Sequence, residues 1–444
     1  MILLYTWTGW SDMTSEGTKG AVGENEIRVH FTREAGDGIK AGQPSLYWHP
    51  NMRIAEPQTA YLFYFSNISR SVPRWRNRAY QLSYWFNYLV ARGVAWQDAS
   101  TDDLLHFRDA MQVAISDQTG RELCDGTVAQ RMIAVIDYYE WAEREAGYRG
   151  SLIAEFTQHS QAPSRPRDED ALAHTGGGTH MRRRLSKLIP KPDDDDSTIR
   201  PLEVANLRAL LRALGPLPSE QCESDCRPCR DRLIAEWQWA VGLRDGEWGK
   251  LKVQTIQAAT PNAAEILITV RGKGRKARNV RVPGWLVEET LSYIAGERAG
   301  VLKAAGLVHA KQQPTEIFLV GADHSRRGKP LSVRRFQAVF AAGCIEAGLI
   351  RHVDFIDSES GLRSVRKVPM HRPHDLRHTY AVFTYWAEVA NGNSEPWKNI
   401  QAQLGHKNLA TTVNTYLKHV GGRNPFKTAS VRDLIGLPRI IPNA

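Results

Sequence analysis

Long hydrophobic runs are absent from this chain of 444 residues. None approaches the roughly 20 apolar residues that a helix needs to cross a membrane. The start, MILLYTWTGW, has no positively charged lead-in, and its apolar run is too short for a secretory signal. These absences disfavour a membrane-spanning or secreted protein, and we expect a cytoplasmic one.

Cysteine is also scarce. The five cysteines cannot form an even disulfide framework, which indicates a reducing compartment. Three of them, Cys222, Cys226 and Cys229, lie close together in CESDCRPC. This C-x3-C-x2-C spacing could belong to a structural zinc site, but no fourth ligand stands nearby in the sequence. We therefore predict free thiols in a loop and no metal site, with structural zinc as the alternative.

Acidic residues are outnumbered by basic ones. The chain has 58 lysines and arginines against 48 acids, for a formal net charge of +10. Hydrophobic residues make up 42% and charged residues 24%, as in a globular protein. A basic excess of this size favours a polyanionic partner, with nucleic acid ahead of a membrane surface. The plain alternative is an ordinary basic enzyme.

The first part of the chain changes from mixed to helical. Residues 1–57 are Gly-rich, carry one strand-like run at Ile27–Phe31, and have no assigned role beyond a variable extension. Residues 58–150 place apolar side chains at the three-to-four spacing of a compact four- or five-helix unit. Ser100 or Thr101 is a suitable N-cap within it.

Charge blocks and glycines mark residues 151–197 as a linker, with GGG, MRRR and DDDD among prolines. Residues 198–425 form the next predicted domain. There we predict a helix in STIRPLEVANLRALLRAL, a helix-turn-helix about Gly242, and a β-hairpin about RGKGRK. Four helical segments follow, in LSVRRFQAVFAAGCIEAG, HDLRHTYAVFTYWAEVA, WKNIQAQLG and ATTVNTYLKHV. Residues 426–444 are a tail whose apolar LIGLPRII run suits docking on a neighbouring subunit.

The segment HDLRH combines a metal-like spacing with an arginine. On a helix His374, Arg377 and His378 share one face, as the histidines of a zinc peptidase's H-E-x-x-H do. The acid here is the shorter Asp375, and Arg377 would place a fixed positive charge beside the cation. A guanidinium suits a phosphate instead, because its planar fork donates two hydrogen bonds to two oxygens. The local chemistry thus favours an anion site.

Further residues supply the parts for phosphodiester transfer without a metal. Arg244 follows the Gly242 break, Lys273 lies on the basic hairpin turn, and L-G-H presents His406 ten residues before Tyr416. Arginines can neutralise the non-bridging oxygens and a histidine can manage the nucleophile's proton. A tyrosine can attack phosphorus and hold it covalently.

In order and context these residues resemble the tyrosine recombinase (phage integrase) family, over roughly residues 198–420. H-x-L-R-H followed by L-G-H and a tyrosine is the specific part of the resemblance. It implies a mainly α fold with a small antiparallel sheet. A helical core-binding domain would precede a catalytic domain of the DNA breaking-rejoining fold.

The resemblance also implies roles. Arg244 and Arg377 would clamp the scissile phosphate, and Lys273 would protonate the leaving 5′ oxygen, with Lys276 as a rival for that lysine. Three further residues complete the set: His374 as acid or base near the tyrosine, His406 on the phosphate, and Tyr416 as nucleophile. Because the phosphotyrosine bond stores the energy of the cleaved bond, no cofactor, ATP or metal is implied.

Two other residues of the motif have expected structural roles. His378 is expected to be a buried structural residue and His371 a surface residue.

Phosphate-contacting arginines are predicted ahead of two helices. They are Arg70, Arg74, Arg76, Arg78, Arg326, Arg327, Arg334 and Arg335.

The implied partner is double-stranded DNA, bound by a homotetramer on two sites in the nucleoid, with accessory recombination factors as a further possibility. Integration or excision of a mobile element is the expected use. Three alternatives stay open: a type IB topoisomerase-like enzyme, a catalytically idle DNA-binding protein, and a metallopeptidase based on HDLRH.

Overall fold

The computed structural model describes residues 26–36, 38–116, 119–150, 152, 188–190, 199–259, 264–272, 277–357 and 360–422. The chain divides into two compact units. The first comprises Met1–Asp196 together with Asp354–Arg366, and the second comprises Ser197–Val353 and Lys367–Ala444. The predicted tail, 426–444, lies outside the described residues.

The first unit begins with a β-hairpin and continues as helices. Strands β1 (Glu26–Phe31) and β2 (Pro44–His49) pair antiparallel, with Glu26 opposite His49. The helices are α1 (Glu56–Ile68), α2 (Val72–Ala91), α3 (Thr101–Val113) and α4 (Asp125–Glu145). The four helical segments and the strand at Ile27–Phe31 predicted from the sequence are confirmed, whereas β2 was not predicted.

Helix starts in this unit follow local chemistry. Prolines at the first turns of α1 and α2 occupy positions where a backbone N–H has no helical partner. At α3 the N-cap is Ser100, whose hydroxyl accepts from the backbone N–H of Asp103 at 3.2 Å. The Asp103 carboxylate accepts in return from the backbone N–H of Ser100 at 3.0 Å, which completes a capping box.

Aromatic side chains dominate the core of the first unit. Phe86 and Tyr138 meet edge to face with ring centroids 5.1 Å apart, and Trp85 meets Phe107 in the same way at 5.2 Å. Both pairs are almost fully buried. Because such rings bury large areas, they bring the amphipathic faces of α2, α3 and α4 together.

The second unit is mainly helical. Its helices are α5 (Val204–Ala213), α6 (Cys229–Val241), α7 (Asp245–Trp248), α8 (Val253–Gln257), α9 (Gly284–Ala295), α10 (Glu297–Ala304), α11 (Val333–Glu346), α12 (Pro373–Ala390), α13 (Pro396–Leu404) and α14 (Leu409–Gly422). Its strands are β3 (Glu265–Arg271) and β4 (Ala277–Pro283), while β5 (Ile350–Ile356) and β6 (Arg363–Pro369) each have residues in both units. The fold class, mainly α with small antiparallel sheets, is as predicted.

The predicted hairpin about RGKGRK is present. β3 and β4 pair antiparallel, with Arg271 opposite Ala277 next to the turn. Ile268 and Val270 on β3 and Val280 and Val282 on β4 are buried, while their neighbours are more exposed, which is the period of two that predicted the strands. The β5–β6 pair was not predicted, because its strands carry charges on both faces.

Helix α6 is the centre of the second unit. Its side chains are buried nearly all round, including Leu233, Ile234 and Trp237, as expected of a helix enclosed by others. Helix α12 packs along it. Of the helices that the structure describes, none is both long and apolar enough to span a membrane.

Two glycines end helices at the point where the candidate site lies. Gly242 closes α6 with φ 72° and Gly405 closes α13 with φ 67°, both left-handed. A Cβ at Gly242 would lie 2.7 Å from Tyr380 Cδ1 and 2.9 Å from Leu404 Cδ2. Only glycine satisfies both the conformation and the space.

Substituting Gly242→Ala should therefore lower the free energy of unfolding by about 3 kcal/mol, since left-handed strain and overpacking add. Urea unfolding measures it. Two controls separate the causes. Gly93→Ala has positive φ but open space and should cost about 1 kcal/mol. Gly246→Ala has neither constraint and should cost nothing. Equal losses at Gly242 and Gly246 would contradict the account.

Candidate active site

Arg377 is the most enclosed charge of the site, with 1% of its surface exposed. Its Nη1 donates to the backbone carbonyl of Gly242, and its Nη2 donates to that of Leu404 at 2.6 Å. Both acceptors lie at helix C-termini, where carbonyls have no partner within their own helix and the helix dipole is negative. The two left-handed glycine turns thus create the seat of this guanidinium.

The two backbone carbonyls that hold Arg377 carry no net charge, so they do not neutralise its guanidinium. Burial, followed by the neighbouring Arg244 guanidinium, lowers the pKa of Arg377 to about 9. Arg377 and Arg244 repel each other electrostatically, and a bound anion would relieve that repulsion. Both arginines were predicted site residues, and the structure brings them together.

Arg244 stands at the start of the short helix α7. Its backbone N–H donates to Glu247 Oε2 at 2.9 Å and its Nη1 donates to Glu247 Oε1 at 3.1 Å. About a third of the Arg244 side chain remains exposed, at 34%. The carboxylate therefore orients an arginine that can still reach a ligand.

Arg278 shares the same carboxylate, and sequence reasoning missed it. Its Nη2 donates to Glu247 Oε2 at 2.8 Å, and its Nη1 donates to the other carboxylate oxygen. Although burial opposes ionisation, the hydrogen bonds from Arg278 and from the backbone of Arg244 lower the pKa of Glu247 to about 2. Glu247 is thus a buried anion shared by two arginines.

Gln403 joins the two helix ends that hold Arg377. Its Nε2 donates to Val241 O at 3.2 Å and to Arg281 O at 2.8 Å, and its Oε1 accepts from the backbone N–H of Arg281 at 2.9 Å. Val241 precedes Gly242, and Gln403 itself precedes Leu404. The Arg278 Nε donates to Gln403 O at 2.9 Å. One amide therefore fixes α6, α13 and β4 to each other.

Tyr416 lies on α14 and is buried in this structure. Its Oη is 3.0 Å from His378 Nδ1, within a hydrogen bond. Burial raises the pKa of Tyr416 to about 12, against the opposing effect of Arg377 and Arg244. Burial, followed by His374, lowers the pKa of His378 to about 3. Both groups are neutral near pH 7, so this is a hydrogen bond between two neutral groups whose direction depends on the tautomer of His378.

His406 lies between Arg377 and the tyrosine helix. Its Nδ1 is 2.9 Å from Thr412 Oγ1, and its Nε2 is 3.5 Å from Arg377 Nη2. Its ring is nearly parallel to that of Tyr416, at 8° and with centroids 6.4 Å apart. Burial, followed by Arg377 and Arg244, lowers the pKa of His406 to about 4. This predicted residue is thus within the cluster.

The histidine beside the tyrosine differs from the expectation. His374 is exposed and meets the His378 ring edge to face, with centroids 4.7 Å apart. The hydrogen bond that the structure shows for the Tyr416 hydroxyl is with His378, which is buried as expected but also contacts this tyrosine. The spacing could not separate the two, because residues four apart share a helix face.

The acid of HDLRH has a capping role. Asp375 accepts from the backbone N–H of Arg372 at 2.9 Å, which fixes the start of α12. His371 was expected at the surface but is buried, and its Nδ1 lies 3.2 Å from Arg200 O and 3.7 Å from the Asp375 carboxylate. With Asp375 and His378 engaged in this way, the geometry does not favour a peptidase-like arrangement.

Other predicted positions lie away from this cluster. Lys273 and Lys276 fall outside the described residues. Cys222 and Cys226 are exposed, whereas the buried Cys229 Sγ donates to Gln221 Oε1 at 3.2 Å. Across the described segments, no group of three or more metal-ligating side chains comes together.

The predicted phosphate-contacting arginines are exposed in both units, with one exception. Arg78 forms a salt bridge with Asp137 at 2.9 Å and lies over the Phe65 ring at 4.8 Å, so its side chain is engaged within the unit. Arg76 lies over the Phe31 ring at 4.7 Å yet remains exposed. The remaining positions all present exposed side chains: Arg70, Arg74, Arg326, Arg327, Arg334 and Arg335.

Comparison with known proteins shows what the part of the chain that contains this cluster is similar to. The phage integrase family matches residues 216–421. A tyrosine recombinase XerC of Halalkalibacterium halodurans is 28% identical over 200 residues, which are 45% of this chain and 54% of that protein. A tyrosine recombinase XerC of Chlamydia caviae is 30% identical over 185 residues, 41% of this chain and 46% of that protein. The chain spans about half the length of the curated relatives it matches.

Solved structures give similar matches. One is XerH site-specific recombinase bound to palindromic difH substrate, with TM-score 0.48 and 15% identity, covering 85% of this chain and 89% of that chain. Another is a lambda integrase dimer bound to a COC′ core site, with TM-score 0.46 and 13% identity, covering 83% and 78%.

The Glu247 carboxylate gives a prediction for stability against pH. Its pKa in the fold, about 2, lies below its ordinary value of 4.5, so its contribution is complete above about pH 5 and is lost as the pH falls toward 2. Glu247→Gln should lower the free energy of unfolding by about 3 kcal/mol at pH 7 and by little at pH 2.

Urea unfolding of both proteins from pH 7 to pH 2 measures this difference. Glu265→Gln is the control, because the Glu265 carboxylate on β3 is largely exposed. Its loss should change the free energy of unfolding little at any pH. A loss at Glu247 that stays constant over the whole pH range would contradict the shared-anion interpretation.

Proposed function

We propose, from the match of residues 216–421 to the phage integrase family, that the protein cuts and rejoins double-stranded DNA through a 3′-phosphotyrosine intermediate. The observation that carries the proposal is the convergence on Arg377. Its guanidinium is held by two helix ends beside Arg244 and His406, and the hydroxyl of Tyr416 lies on the adjacent helix.

An excess of positive charge supports a phosphate substrate. Arg244, Arg278 and Arg377 surround one buried carboxylate, Glu247, whose charge two of them already share. A scissile phosphate would add the missing negative charge, and more charge develops on its oxygens as the nucleophile attacks. Fixed guanidinium groups stabilise that charge without reorganising at the moment of reaction.

The proposed reaction conserves a phosphodiester at each step. Tyr416 Oη attacks phosphorus, the bond from phosphorus to the 5′ oxygen breaks, and the phenolic proton passes to a histidine, for which His374 remains our proposal. A proton donor, for which Lys273 remains our proposal, protonates the 5′ oxygen. A 5′ hydroxyl then attacks the phosphotyrosine and reverses the sequence. Because bond energy is retained, we propose no cofactor.

The described arrangement corresponds to a resting nucleophile. The pKa values of Tyr416 and His378, about 12 and about 3, differ so far that proton transfer between them would cost on the order of 10 kcal/mol. Tyr416 is also 1% exposed. We propose that DNA binding exposes the hydroxyl and brings it beside the arginines, which favour the phenolate.

Site-specific recombination is the finer proposal. It would join two DNA sites in a homotetramer, with accessory factors, and would serve integration or excision of a mobile element. The exposed arginines of both units would contact the DNA backbone, with Arg78 left out because Asp137 already holds it. The curated relatives being named tyrosine recombinases supports recombination over simple relaxation.

Tyr416→Phe should abolish covalent capture of DNA while DNA binding persists, since only the nucleophilic oxygen is removed. The substrate is a library of nicked suicide duplexes with randomised sequence, in which the released strand diffuses away and traps the protein. Denaturing gels count the covalent complex, and sequencing of the trapped DNA identifies the site.

Tyr380→Phe is the matched control, because it removes another enclosed tyrosine hydroxyl on α12 and should leave capture intact. Capture by the Tyr416 variant would refute the assignment of the nucleophile. Trapping of DNA with no shared sequence, together with relaxation of any supercoiled plasmid, would instead favour the topoisomerase alternative.

Arg377→Lys should lower the rate of cleavage by about 100-fold or more, because an ammonium cannot replace the planar fork that holds two carbonyls and faces the phosphate. Single-turnover cleavage of the captured duplex measures the rate, and filter binding should show affinity within several-fold. Thermal unfolding checks that the variant folds. A variant that folds and cleaves at the original rate would contradict the proposed clamp.

A further inference from the structure

Thr412 is a fully buried polar side chain that the proposed mechanism does not use. It lies one helical turn before Tyr416 on α14, and its Oγ1 is 2.9 Å from His406 Nδ1. The other ring nitrogen, His406 Nε2, is 3.5 Å from Arg377 Nη2. Each nitrogen of this histidine therefore faces one defined neighbour.

The neighbours determine which nitrogen carries the proton in the resting state. His406 is neutral near pH 7, because burial and the adjacent arginines lower its pKa to about 4. A guanidinium can only donate hydrogen bonds, so Nε2 must accept from Arg377. The single ring proton then sits on Nδ1, which donates to Thr412 Oγ1.

A bound phosphate reverses this requirement. Its oxygen accepts, so His406 must carry the proton on Nε2 to donate to it, and Nδ1 must then accept. A hydroxyl serves both states, because rotation about its Cβ–Oγ bond turns an acceptor into a donor. We propose that Thr412 is a positioning residue that holds His406 in either tautomer and so lets it change partner from Arg377 to the phosphate.

The same hydroxyl links the histidine to the nucleophile's helix. Thr412 and Tyr416 are four residues apart on one face of α14, and the His406 and Tyr416 rings lie nearly parallel, at 8°. Holding His406 from this helix keeps the ring in register with the tyrosine. Thr412 lies outside the HDLRH segment, so that motif gave no indication of this contact with His406.

Two variants separate the hydroxyl from packing. Thr412→Val keeps the shape and removes the hydroxyl, whereas Thr412→Ser keeps the hydroxyl and removes a methyl group. Loss of one buried hydrogen bond corresponds to about tenfold, so Thr412→Val should slow single-turnover cleavage about tenfold or more. Thr412→Ser should cleave within about threefold of the original protein. A Val variant at full rate, or a Ser variant as slow as Val, would overturn the proposal.

A double-mutant cycle tests whether Thr412 acts through His406. In a His406→Asn background, Thr412→Val should cause little further loss, because the partner of the hydroxyl has already gone. Independent, multiplicative losses would show that Thr412 acts elsewhere and would reject the proposal. Thermal unfolding of each variant identifies any that fails to fold.

This kinetic test rests on the proposed function, so a second measurement avoids DNA. Long-range nitrogen–proton NMR of the full chain with labelled histidines, assigned through His406→Asn, reports the tautomer directly. The original protein and Thr412→Ser should show the proton on Nδ1. Thr412→Val should keep the proton on Nδ1, because Arg377 still faces Nε2, but this N–H should lose the chemical-shift signature of a hydrogen bond. A proton on Nε2 in the original protein, or an Nδ1–H signal unchanged in Thr412→Val, would overturn the inference, whereas failure to cleave any DNA would reject the proposed function alone.

Discussion

The site depends on the burial of one arginine at two helix ends. A guanidinium in the interior is costly unless its donors are satisfied, and Arg377 satisfies them with carbonyls of Gly242 and Leu404. Helix C-termini supply both unpaired acceptors and a negative dipole, so the seat is electrostatically suited to a cation. The left-handed glycines that end α6 and α13, and the Gln403 amide that joins these helix ends, follow from that one requirement.

Around that seat the charges do not balance. Glu247 is a buried anion, but Arg244 and Arg278 both bind it, and the pKa of Arg377 remains lowered by burial and by Arg244. The cluster therefore carries an excess of positive charge, which an anionic ligand would balance. Tyr416 is stored nearby as a neutral phenol, bonded to His378 rather than facing the arginines. A surplus of positive charge beside a protected phenol is consistent with the proposed reaction, which would begin only when DNA is bound.

Sequence reasoning predicted most of the helices, though not α8, α9 and α10, together with the β3–β4 hairpin and the residues of the motif, because each rests on local spacing. It could not predict that His378 reaches Tyr416, since His374 and His378 share one helix face. Arg278 and Gln403 were missed for another reason: their partners are 31 and 162 positions away in the chain, and a single sequence carries no signal for such pairs. The β5–β6 pair escaped notice because charged side chains on both faces hide the alternation of a strand. The proposed role of Thr412 could not be predicted from the sequence either, because it depends on which nitrogen of His406 the hydroxyl faces.

The central claim is that Tyr416 becomes covalently joined to a DNA 3′ phosphate in the seat formed around Arg377. Mass spectrometry of the proteolysed protein–DNA adduct, after nuclease trimming, tests it most directly. The account predicts a single modified peptide from α14, with the nucleotide remnant on Tyr416 and released only when a phosphotyrosine ester is cleaved. A remnant on any other side chain, or a 5′ rather than a 3′ linkage, would contradict it.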